Sequence, residues 1–162
     1  MASKINTKIA SGLTAFSSIS ACGVILIAAL VWIGYVFAIP ELKSLINGAT
    51  AMNPATALCF LLAGVSVLSL HSANARVRQV GLVFACVVGS VGIIKFFSYL
   101  WGLPVYFDRV LFASQLDVVV LGYRNEIAPN TALNFFFAGL GLWPLHRQKS
   151  EHLAQVLSAV TV

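Results

Sequence analysis

The chain has 162 residues, of which 59% are hydrophobic and 9% charged, and it carries a net charge of +5. That balance excludes an ordinary soluble domain and predicts an all-α integral membrane bundle. Its basic residues are scattered through short connections with no basic stripe, so nucleic acid is not an expected partner and the charge serves orientation in the lipid bilayer.

Residues 1–18 form a cytoplasmic lead-in with Lys4, Lys8 and no acidic residue, helical from about Leu13 at the earliest. The first span runs over 19–39 without a charge and stops at Pro40, with Trp32, Tyr35 and Phe37 in its last third, where amphipathic rings suit the membrane boundary. No small-x-small site follows an apolar run of signal length, so this span is read as an anchor. A short polar loop, 41–53, leads to the second span. Asn53 is a good N-cap there, and Pro54 suits the first helical position, where its missing N–H costs nothing. Beyond it, Thr56, Cys59, Ala63 and Ser66 recur at helical spacing as a narrow face of small or weakly polar side chains. In lipid such a face allows close backbone approach and is expected to look inward.

Ser72 to Gln79, with Arg76 and Arg78, links to a third span over 80–103 whose sole charge is Lys95. The long connection 104–128 holds Asp108, Arg109, Asp117, Arg124 and Glu126 around Val118-Val119-Val120-Leu121; a short strand and an interfacial helix both suit it. A fourth span, 131–145, is shorter and ends in Trp143-Pro144. Residues 147–162 are a cytoplasmic tail or the start of a further helix.

The fourth span is counted because it repeats the second. Pro54-Ala55-Thr56-Ala57-Leu58 returns as Pro129-Asn130-Thr131-Ala132-Leu133, and Phe60, Ala63 and Gly64 return as Phe135, Ala138 and Gly139, all 75 positions on. The face of small residues becomes Thr131, Asn134, Ala138 and Gly141. More weakly, Cys22, Tyr35, Phe37 and Pro40 match Cys86, Tyr99, Trp101 and Pro104 at an offset of 64. The expectation is two tandem, parallel hairpins, 19–71 and 76–146, unlike the inverted repeats of many transporters. Lys4, Lys8, Arg76, Arg78, Arg147 and Lys149 fall on one side, and Lys43, Arg109, Arg124 and four of the five acidic residues on the other. Positive-inside bias then puts both termini in the cytoplasm. Gln155-Val156 resembles Gln79-Val80, the entry to the third span, which suggests that the chain continues a third copy as part of something longer.

Lys95 has two readings. Six residues before Trp101, it could snorkel to the outer interface; otherwise it forms a polar site, binding an anion or pairing with Asp108 or Glu126, with Arg109 nearby in sequence. His71 and His146 read as helix-end residues interacting with the last carbonyls, and Asn134 as interhelical glue. Cys22, Cys59 and Cys86 read as small buried hydrophobes, since neither a disulfide framework nor CxxC spacing is present. No catalytic, metal-binding or phosphate-binding motif occurs, so neither an enzyme nor a cofactor is expected.

Residues 52–64, Gly102-Leu103-Pro104, Asp108 to Phe112 and 128–133 together resemble the multi-span N-terminal membrane region of bacterial sensor histidine kinases and diguanylate cyclases. The resemblance covers most of 45–145 and rests on the repeated Pro-x-Thr-Ala-Leu-x-Phe; Asn134 stands where that family usually has Cys. It implies a sensory, signal-transducing input module of the two-component type, with a kinase or cyclase output outside this chain. A homo-oligomer or association with other membrane subunits is expected, and the ligand is not specified. The alternative is a non-catalytic accessory subunit of a larger membrane complex.

Overall fold

A computed structural model describes the backbone of residues 2–44, 51–116 and 125–160, with side chains between 11 and 147 apart from Ser114. The described residues are helical, with no strand: α1 (Ala2–Val36), α2 (Pro40–Ser44), α3 (Pro54–Ser69), α4 (Ala75–Leu100), a 3₁₀ turn at Phe107–Arg109, α5 (Ala113–Leu116) and α6 (Pro129–Val160). Two segments, Ser11–Val36 and Ala75–Leu100, are long and apolar enough to cross a membrane, each 26 residues or about 39 Å at 1.5 Å per residue. α3, at 16 residues, is shorter.

The helix starts and stops follow from local chemistry. Asn53 caps α3, its side chain accepting from Ala55 N at 2.8 Å, and Asn74 caps α4 in the same way through Arg76 N at 2.9 Å. α1 and α4 end alike. Ala38 (φ 55°) and Gly102 (φ 62°) take the left-handed conformation, and the next residue's N–H returns to the carbonyl five positions back, Ile39 to Gly34 and Leu103 to Ser98. This is the Schellman closure, and Pro40 and Pro104 follow it immediately.

α1 packs on α3, α3 on α4 and α4 on α6, so α3 has neighbours on both sides while α6 rests mainly on α4. One apolar cluster, including Ala28, Val31 and Ala57, fills the α1–α3 space; the other, including Cys59, Val88, Ala132 and Phe135, joins α3, α4 and α6. Both seams rely on glycine. A Cβ at Gly64 would lie 2.6 Å from Ile25 and 3.2 Å from the Ala21 carbonyl, and one at Gly139 would lie 2.5 Å from Gly89 Cα and 2.9 Å from the Ala85 carbonyl.

Several elements differ from the sequence expectation. α1 is continuous from Ala2, so the lead-in is already helix; its Lys, Ser and Thr residues break the apolar pattern without breaking the helix. The long connection is a 3₁₀ turn and a short helix in its described part, and Asp117, Val118 to Leu121 and Arg124 lie outside the described residues. α6 runs through Pro144 to Val160 rather than ending at Trp143-Pro144.

The predicted inward faces also part company. Thr56, Cys59 and Ser66 are buried and Ala63 is half-buried, but Thr131 and Ala138 are half-buried and Asn134 and Gly141 are exposed. α6 instead turns Ala132, Phe135, Gly139 and His146 inward. α3 lies between two partners, so several of its faces are covered; α6 has one close partner, and only one of its faces is. Asn134 is therefore not interhelical glue within this chain. Cys22 and Cys86 are likewise exposed, and only Cys59 is buried.

Candidate functional site

One cluster of buried polar residues lies at the end of the bundle where α4 meets the long connection. Lys95, in the sixth turn of α4, has a 1% exposed side chain, and its ammonium lies 3.0 Å from both Asp108 Oδ1 and Glu126 Oε2. It also donates to the Val105 carbonyl at 3.1 Å. Asp108 is 0% exposed and accepts the Ile127 N–H on its other oxygen at 2.8 Å, whereas Glu126 keeps 19% of its side-chain surface. Lys95 therefore faces two carboxylates, one sealed and one reaching solvent, rather than snorkelling free. The triad carries one net negative charge.

The 3₁₀ turn delivers Asp108 to this point, the one fully buried residue between Pro104 and Val110. Arg109 points elsewhere, its guanidinium 5.7 Å from the Tyr106 ring centroid. It takes no part in the Lys95 contacts. Tyr99, one turn after Lys95, donates to the Ile127 carbonyl at 2.7 Å, with Lys95 Nζ 5.2 Å from its ring centroid. A cavity of about 280 Å³ opens beside Lys95, Tyr99, Tyr106 and Glu126. Glu126 is the charged group that both meets solvent and lines it.

Asn53 joins this cluster to the start of α3. Beyond capping, its amide donates to the carbonyls of Asp108 (3.2 Å) and Asn125 (2.8 Å). Asn125 in turn donates to the Ala51 carbonyl at 3.0 Å and the Tyr35 hydroxyl at 3.4 Å, and Tyr35 donates to the Met52 carbonyl at 3.0 Å. Phe112 packs against the rings of Trp32 and Tyr35, at 5.5 and 5.3 Å, in a left-handed conformation (φ 56°) that costs of order 1–3 kcal/mol in a non-glycine residue. Gln115 donates to the Tyr35 carbonyl at 3.1 Å and accepts from Lys43 at 2.7 Å. The long connection is thus bound across the ends of α1, α3 and α4.

Sequence reasoning found Lys95, Asp108 and Glu126 and missed Asn53 (beyond its cap), Tyr35, Tyr99, Gln115 and Asn125 as bridging groups. Tyr35 and Tyr99 did carry a signal, because they match at an offset of 64. Asn125 and Gln115 carried none, being polar residues in a loop.

At the opposite end, Ser66 Oγ donates to the Gly81 carbonyl at 2.8 Å and meets His146 Nε2 at 3.0 Å. Because the single hydroxyl proton goes to Gly81, the ring nitrogen is the donor in the second contact. His146 ties α3, α4 and α6 together from inside α6 and is not a helix-end residue, unlike His71, which sits exposed just after α3. Among the described residues no group of His, Cys, Asp and Glu is arranged to hold a metal. No protein-family model, curated protein or solved structure matches this sequence.

Proposed function

We propose that the chain is a membrane-embedded sensory input module: four spanning helices, arranged as two tandem hairpins with both termini cytoplasmic, that pass a conformational change from an outer polar site to a cytoplasmic kinase or cyclase output. The repeat is supported by contacts at matched positions. Tyr35 and Tyr99 each donate to the carbonyl two residues before the repeated proline, Met52 and Ile127. Gly64 and Gly139 each close on the carbonyl of a matched alanine, Ala21 and Ala85. Phe60 and Phe135, themselves matched, meet edge to face at 5.1 Å.

The observation that carries the functional reading is the Lys95–Asp108–Glu126 cluster. A buried cation held by one sealed and one solvent-reaching carboxylate is a poor device for stability, because apolar packing of the same volume would serve as well or better. It is a good device for a switch. A ligand entering the cavity and competing at Glu126 would change what holds α4 to the loop before α6, and α6 continues without a break past Arg147. The triad sits at the end rich in acidic groups, and the arginines Arg76, Arg78 and Arg147 lie at the other, as an outward-facing site with an inward-facing output requires.

The test is transmission. Spin labels at Leu13→Cys and Leu145→Cys, exposed positions near the cytoplasmic ends of the proposed first and fourth spans, are read in lipid nanodiscs on a background without the native cysteines. Glu126→Gln should shift the distance distribution. A folded Glu126→Gln protein with an unchanged distribution overturns the coupling and leaves the accessory-subunit reading, which the uncovered Asn134 side of α6 favours.

A further inference from the structure

Two depressions lie end to end along the α4–α6 seam. The first, about 200 Å³, is walled by Arg78, Gln79 and Leu82 of α4 and by His146 and Arg147 of α6. The second, about 360 Å³, is apolar and is walled by Cys86, Ser90 and Ile93 facing Phe136, Leu140 and Trp143. Both sets advance along their helices in steps of three and four residues, so each helix contributes a single stripe and the two depressions are parts of one groove. Its floor is deep because Gly89 and Gly139 meet backbone to backbone, with no room for a Cβ. From Arg78 to Ile93 the groove follows α4 for about 22 Å at 1.5 Å per residue, more than the depth of one leaflet of a hydrocarbon core about 30 Å thick.

The mouth is cationic. Arg78 is 7% exposed; its Nη1 donates to the carbonyls of Ser72 and Ala73 at 3.1 and 3.2 Å, and its Nε, buried at the pocket wall, has no hydrogen-bond partner. It stands at the end of the first turn of α4, where the helix dipole also favours an anion. Arg147 is exposed on the opposite wall, its guanidinium 5.1 Å from the centroid of the Trp143 ring, which marks the step from polar mouth to apolar cleft. Of the acidic residues in the described backbone, Glu41, Asp108 and Glu126 lie at the other end of the bundle, and Glu151 follows in α6 on this side.

We propose that this groove binds one anionic phospholipid from the cytoplasmic leaflet, its phosphodiester between Arg78 and Arg147 and an acyl chain laid over Gly89 and Gly139. The inference rests on the membrane-embedded part of the reading above and is independent of sensing at the outer site. A soluble anion would satisfy the arginines and leave the 360 Å³ cleft unused. A zwitterionic lipid would fill the cleft and bring its own ammonium against two guanidinium groups. Only an amphiphile with a net negative head complements both halves, and basic pockets between helices on the cytoplasmic side suit such heads. A lipid seated there spans α4 and α6, and so bears on the helix that leaves the membrane.

Trp143, at the junction, reports occupancy. In full-length protein carrying Trp32→Phe and Trp101→Phe, its fluorescence is measured in phosphatidylcholine vesicles containing dibrominated phosphatidylglycerol or, at equal mole fraction, dibrominated phosphatidylcholine. The anionic lipid should quench several-fold more effectively, and Arg147→Gln should remove roughly fivefold of the preference. Arg78→Gln should act alike; because Arg78 also holds the α3–α4 link, the exposed Arg147 decides the question if that variant does not fold. Equal quenching by the two lipids overturns the lipid site while leaving membrane insertion intact, whereas quenching by neither overturns the membrane reading itself. A preference that survives Arg147→Gln in full overturns the site as a general surface-charge effect. Loss of the preference on adding inorganic phosphate at constant ionic strength overturns it in favour of a soluble anion.

Discussion

Replacing Lys95 with Met tests the outer cluster most directly. The ammonium makes three contacts, to Asp108 and Glu126 at 3.0 Å and to the Val105 carbonyl at 3.1 Å, on a side chain that is 1% exposed. Methionine is similar in volume and leaves no large cavity, so the cost is electrostatic. Asp108 keeps the Ile127 N–H but loses its counter-charge while fully buried, and stranding one member of a buried pair costs about 3–5 kcal/mol. Glu126 adds less, since its exposed fraction admits water. Asp108→Asn leaves Lys95 with Glu126 and Val105 and should cost only about 1–3 kcal/mol. In the double variant Lys95→Met/Asp108→Asn both buried charges are gone, and the asparagine oxygen can still accept from Ile127. It should therefore be more stable than Lys95→Met alone, with a coupling of about 2–3 kcal/mol. Reversible unfolding in mixed micelles, followed by far-UV circular dichroism, gives the four free energies of the cycle. A Lys95→Met protein within about 1 kcal/mol of the parent, or single costs that simply add, would refute the view that the charges hold one another in place.

Asn53→Ser should retain the α3 cap but lose the amide that bridges to Asp108 and Asn125, and Asn53→Ala should lose both functions. Alanine should therefore be the worse by about 1 kcal/mol, the usual worth of a cap, in the same unfolding assay. Gly139→Ala puts a Cβ 2.5 Å from Gly89 Cα and should destabilise by about 1–3 kcal/mol. Gly141→Ala, with nothing within 4 Å, should be neutral or up to about 1 kcal/mol stabilising through helix propensity; equal melting temperatures for the pair would contradict the packing of α6.

Much of the helical framework is legible without coordinates because its signals are local. Asn53-Pro54 suits a helix start because the capping side chain and the missing N–H belong to those two residues, and Pro40 is a stop for the same kind of reason, whereas the left-handed turn at Ala38 is not an alanine preference and depends on what surrounds it. The Lys95 partners are half legible: a lone cation in an apolar helix needs a counter-charge, and the neighbouring loop supplies acidic residues, but that Asp108 and Glu126 meet it is a matter of where the loop folds. The inward face of α6 is not legible at all. Thr131, Asn134, Ala138 and Gly141 copy the α3 pattern, and the pattern is indifferent to how many neighbours its helix has.

The sequence alone determined an apolar, helical chain with an internal repeat, one buried-charge problem and an asymmetric distribution of lysines and arginines, because composition, periodicity and helix punctuation are properties of short stretches. Tertiary structure decided which face of each helix meets another, that Asp108 and Glu126 close on Lys95 from opposite ends of one loop, that His146 is a tie between three helices, and that α4 and α6 leave a groove between Arg78 and Ile93. These depend on which helices lie side by side. Two copies of one motif met different neighbours, and so the same residues came to do different things.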